Sequence, residues 1–134
     1  MNKFIIIIAL ASLCACTTTT TIPNKLPSIT LVAAQICPLI PLINQNILAF
    51  PNISPQVGKN IDAAKPFVDA MCASGAIPTI QNVNDLIKSG FPLLISAVDA
   101  APPLTPHIAE IKAGLLIAED LATIVSVAQA EDVK

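Results

Sequence analysis

The chain has 134 residues, of which 54% are apolar and only 12% charged, with a mean hydropathy of +0.73. That is the length of one domain, with too much apolar side chain for a disordered polar tail. Seven lysines without arginine stand against nine acids, for a net charge of −2, and the aromatics are four Phe with no Trp or Tyr. There is neither a basic face for phosphates nor a platform for base stacking, so a nucleic-acid partner is excluded.

Met1-Asn2-Lys3 is a short positive start, followed by the apolar run Phe4 to Leu13. Ten residues rise about 15 Å as a helix, half of a bilayer core, so the run fits the core of a signal peptide better than a permanent span. Leu13-Cys14-Ala15-Cys16 follows. This tetrad resembles the lipobox of bacterial lipoproteins, in which an aliphatic residue, a tolerant position and a small residue precede the cysteine. Cys14 departs from the Ala, Ser or Thr usual at its place. The resemblance covers about the first 16 residues and implies cleavage before Cys16, with Leu13 and Ala15 as recognition positions. It further implies a diacylglycerol on the Cys16 thiol and an acylated amine, an anchor that is effectively permanent. Thr17 rather than Asp after the cysteine implies the outer membrane, with the domain facing the periplasm.

Residues 1–15 are thus assigned to the signal peptide, 16–27 to a lipidated tether and 28–134 to a single helical domain. Loss of Lys3 leaves six lysines against nine acids in the mature chain. The Thr-rich, proline-bearing stretch from Thr17 to Pro27 has no amphipathic period. Its eleven residues span at most about 36 Å, enough to clear the headgroups.

From Ser28 onward the pattern predicts an all-α fold, a small bundle of proline-punctuated short helices with one longer C-terminal helix. Ser28 stands where it can cap a helix through Ile29, Val32, Ala33 and Ile36, and Pro38 and Pro41 predict a break before a second short helix over about 41–49. Ser54-Pro55 places a capping hydroxyl before proline at the first helical position. Val57, Ile61, Ala64, Val68, Met71 and Cys72 then share one face, with Asp62, Lys65 and Asp69 on another, and Pro66 predicts a kink. Thr79 predicts a cap for a helix over 80–89 stopped by Gly90, and Pro92 to Ala100 reads as another short helix ended by Pro102-Pro103. Thr105-Pro106 predicts the start of the last helix. There Ile111, Ala118, Leu121, Ala122 and Val125 face a core, flanked by Ile117 and Ile124, with Lys112, Glu119, Asp120, Thr123 and Ser126 on the polar side.

Proline precedes two apolar residues at Pro38, Pro66 and Pro92, 28 and 26 positions apart, a spacing close to that of a helical-hairpin repeat. No segment of the mature chain reads as a second span. Ser28 to Ile43 is short and holds Gln35 and two prolines, and the last helix carries Lys112, Glu119 and Asp120.

Chemistry is sparse. Cys37 and Cys72, an even pair in an exported chain, predict a disulfide, with two core thiols as the alternative. His107 is the sole histidine, and with Glu110 three residues on it supplies half of a metal site and no more. Glu119-Asp120 diverge by about 100° around a helix and read as a solvated face. No nucleophile, phosphate-loop or zinc motif occurs, so no catalytic residue, metal or cofactor is assigned. Two readings of function stand open: a lipid-anchored module that binds an unknown envelope protein in a structural, assembly or exclusion role, or a carrier or sensor of a lipid or other apolar ligand. An exposed apolar patch favours the first and an internal cavity of several hundred Å³ favours the second.

Overall fold

The computed structural model describes residues 28–131. The signal-peptide and tether assignments, with Leu13, Ala15 and Cys16, lie outside the described residues, as do positions 132–134. Six α-helices follow in order: α1 Ile29–Ile36, α2 Leu39–Ile43, α3 Pro55–Cys72, α4 Ile80–Asp85, α5 Phe91–Asp99 and α6 Ile108–Glu131. A π-helical segment, Asn44–Leu48, prolongs α2, and a second, Leu86–Gly90, joins α4 to α5. The fold is all-α, no strand occurs among the described residues, and α6, at 24 residues, is the longest element.

The helix starts divide into those set by side chains and those set by the backbone. Thr79 caps α4 as its sequence predicts: its Oγ1 accepts the Asn82 N–H at 3.3 Å, while Asn82 Oδ1 accepts the Thr79 N–H at 2.8 Å. Two otherwise orphaned donors are satisfied reciprocally. Ser28 and Ser54 occupy cap positions, but their hydroxyls make no cap bond; Pro55, whose missing N–H no helical carbonyl needs, sets the start of α3.

Proline breaks less than its chemistry suggests. The interruption after α1 is a turn at Cys37-Pro38, and α2 begins two residues before Pro41, which falls within the first turn, where no intrahelical N–H is required. Helix α3 runs on through Pro66, leaving the Asp62 carbonyl without its usual donor. Gly90 does not stop a helix. The π segment carries the chain through it into α5, and Pro92 lies in the first turn beyond. Gly90 is buried because a Cβ there would sit 2.5 Å from Leu86 Cδ1 and 3.2 Å from Phe67 Cβ, so its hydrogen permits the close approach of α3. Pro38 in a turn, Pro66 in mid-helix and Pro92 in a first turn hold three different places, so the proline triplets mark no structural repeat.

The start of α6 also departs from expectation. Thr105 is not its cap. The chain turns with the Thr105 N–H on the Pro102 carbonyl at 2.9 Å, passes through His107 in the left-handed region (φ 57°), and becomes helical only at Ile108. Turning inward, Thr105 is 4% exposed and its Oγ1 has no hydrogen-bond partner.

Among the described residues the core is aliphatic, with Phe91 its only fully buried aromatic side chain. Val32 and Ile36 of α1, Ile43 of α2, and Leu86, Phe91 and Leu94 on the α4–α5 side meet the inner face of α6, while Val57, Ala64, Val68 and Met71 of α3 join the same cluster from the side of α5 and the Leu86–Gly90 segment. Each large side chain removed from water contributes about 1.5–3 kcal/mol. Helix α3 packs on α5, where Asn60 Nδ2 donates to Ser96 Oγ at 3.2 Å, and α1 packs along α6. Gly114 lets Leu39 approach α6, since a Cβ there would meet Leu39 Cδ2 at 2.8 Å.

The described residues contain one stretch long and apolar enough to cross a membrane by length and composition, Ile29–Leu48. This corrects the expectation that the segment is too short. Within the fold Val32, Ile36, Ile43 and Ile47 form its buried face, and it packs against α3 and α6 as a wall of the bundle.

Candidate functional site

The predicted bridge is present. Cys37, at the C-terminal cap of α1, and Cys72, the last residue of α3, are bonded with an S–S distance of 2.05 Å and a Cα–Cα distance of 5.5 Å. Both are half-buried rather than central to the core, which places the bond at the edge where the α1–α2 wall meets α3.

His107 Nδ1, just before α6, and Glu110 Oε2, in its first turn, lie 2.8 Å apart, both more than half exposed. No group of three or more His, Cys, Asp or Glu side chains that could hold a metal ion occurs among the described residues. Glu119 is half-buried and Asp120 exposed. The remaining ion pairs, Lys65 with Asp69 and Lys112 with Asp99, lie in solvent and contribute little.

Two surface features remain. The first is a groove of about 190 Å³ between the α2 unit and α3. Ile43, Val68 and Leu94 form its floor, Ile40, Leu48 and Ile61 its walls, and Asn44, Asp62, Lys65 and Asp69 its polar rim. The π segment Asn44–Leu48 supplies one wall, and the Asp62 carbonyl orphaned by Pro66 belongs to a rim residue. Its volume is below the roughly 300–1,000 Å³ of typical small-molecule sites.

The second is the outward face of α6. Ile111, Leu115, Ala118, Ala122 and Val125 are buried, so Leu115 belongs to the core beside the expected residues, while Leu121 is only half-buried. Ile117 and Ile124 do not flank that core. They are 59% and 54% exposed, and with Leu116 at 42% and Val127 at 57% they form a second apolar face. At 100° per residue these four side chains point about 120–160° away from the centre of the buried arc. The polar residues fall between the two faces: Ser126, half-buried, donates to Asn84 Oδ1 of α4, and Lys112 is held by Asp99 of α5. Only Asp120 interrupts the outward stripe, and it has no hydrogen-bond or ion-pair partner among the described residues.

This double apolarity escaped the sequence pattern because Leu121, expected in the core, bridges the buried arc to Ile117 and Ile124 on a helical projection. A helix apolar on two opposed sides was the signal available. No family model, curated protein or solved structure matches this chain.

Proposed function

We propose that this protein is a non-enzymatic lipoprotein of the bacterial cell envelope, anchored through Cys16, whose helical domain acts by binding another protein. The anchor rests on the resemblance of Leu13-Cys14-Ala15-Cys16 to a lipobox. The binding role rests on one observation, the exposed aliphatic face of α6. Four large aliphatic side chains on one helix face leave on the order of a few hundred Å² of apolar surface, the size of the largest patch on a typical monomer, which is often a functional one. The carrier reading draws less support, because a groove of about 190 Å³ is too small to enclose an acyl chain. Retention at the outer membrane, facing the periplasm, follows from Thr17 on the same resemblance.

Metabolic labelling with an alkyne fatty acid, followed by membrane fractionation, tests the anchor. Label is expected in the outer-membrane fraction with the native chain and is expected to be lost with Cys16→Ala. Label retained by Cys16→Ala would remove the lipoprotein reading. Photo-crosslinkers placed in cells at exposed positions on every face test the binding role, which falls if none of them yields a protein adduct.

A further inference from the structure

We infer that the outward face of α6 is a helix-binding seam that takes an amphipathic partner helix carrying a lysine or arginine opposite Asp120. The inference rests on the protein-binding reading above and is independent of the lipid anchor. Ala113, Ile117, Asp120, Ile124 and Val127 succeed one another at steps of four, three, four and three residues and are all exposed. That spacing is the a/d pattern by which one helix packs along another, and it runs for about 21 Å. Leu116 widens the seam on one side.

Asp120 decides among the possible occupants. It lies at the midpoint of the seam, seven residues from Ala113 and seven from Val127. A second copy pairing by a two-fold axis through that midpoint would set Asp120 against its own symmetry mate, and like charges placed opposite one another oppose association. A bilayer surface fits no better. Helices that lie in the interface carry Lys or Arg on the polar face and aromatic anchors on the other, whereas α6 has no aromatic residue and its one described lysine, Lys112, is engaged by Asp99. Among the described residues of α6, the charged side chains outside any ion pair are acidic: Asp120 in the seam, Glu119 beside it and Glu131 one turn beyond Val127. A single polar position within an apolar seam fixes register and selects the partner. Here it calls for a cation.

The test uses the full chain in phosphatidylcholine nanodiscs and two synthetic 21-residue helices with leucine at a and d. One carries lysine and its twin glutamate at the single position facing Asp120. Anisotropy titration is expected to show the lysine helix binding at least tenfold more tightly than the glutamate helix. Asp120→Lys should reverse that order, and the pair Ile117→Ser, Ile124→Ser should abolish both. Because all three side chains are exposed, circular dichroism and melting should match the native chain. Equal affinity for the two helices, affinity unchanged by the Asp120 or Ile117/Ile124 substitutions, or no binding of either would overturn the inference. Photo-crosslinkers at Leu116 and Ile124, compared with Gln56 and Ser74 on other faces, separate the two levels in cells. Adducts from other faces alone leave the protein-binding reading and remove the α6 seam, and an adduct of twice the chain's mass from α6 replaces the partner helix with a second copy.

Discussion

Breaking the Cys37–Cys72 bond should cost this domain a large part of its stability. The two cysteines are 35 residues apart in sequence. Cross-linking a loop of that length removes about 4 kcal/mol of chain entropy from the unfolded state at 25 °C. With roughly 2.1 cal/mol/K of unfolding entropy per residue over a domain of this size, the loss corresponds to a fall in Tm of about 15–20 °C. A chain carrying Cys14→Ser and Cys16→Ser leaves only this pair and isolates the effect. Its oxidised and reduced forms contain the same side chains, so the difference between their urea midpoints measures the cross-link alone. The reduced form should also show a larger m-value, because its unfolded chain is free to expand. Cys37→Ala and Cys72→Ala should each lose nearly as much as the double variant, since either change breaks the whole bond. The sum of the single losses would then exceed the double loss by about 4 kcal/mol. Oxidised and reduced chains that melt within about 3 °C of each other, or alkylation of both cysteines in the unfolded oxidised chain, would refute a stabilising cross-link.

Two glycines inside helices should respond oppositely to alanine. Nothing lies within 4 Å of a Cβ at Gly58, so Gly58→Ala should stabilise by about 0.5–1 kcal/mol through helix propensity alone. Gly90→Ala should instead destabilise by about 1–2 kcal/mol, because the fully buried Leu86 and the Phe67 Cβ leave no room. Urea denaturation of both variants checks the contrast, and equal signs would contradict the packing. Thr105→Val removes a buried hydroxyl without a partner at nearly constant volume and should raise stability by about 1–2 kcal/mol, read from the same curves. Phe91→Ala should cost about 3–5 kcal/mol, as this ring is fully buried among aliphatic neighbours; a cost below 1 kcal/mol would place it outside the core.

The helical class, the long C-terminal element, the Thr79 cap and the proline start of α3 were legible in the sequence because each depends on residues within one or two turns of one another. The pairing of Cys37 with Cys72 was expected from their even number and the export that the lipobox resemblance implies, while its place at a half-buried edge came from the packing of α1 against α3. Local chemistry misled at Gly90, which resembles a helix stop and instead sits where Phe67 of a distant helix leaves no space for a methyl group. It misled again at Thr105, which resembles a cap and turns into the core.

Whether an apolar side chain faces inward is a property of neighbours far away in the chain, and no period within α6 distinguishes its two aliphatic faces. The sequence by itself determined that α6 is a helix, that it is rich in aliphatic residues and that Asp120 lies among them. Only the tertiary structure decided which arc the other helices cover. By burying Ala118 and Ala122 and leaving Ile117 and Ile124 in water, it placed the smaller side chains where helices approach closely and the larger ones where a partner can reach them.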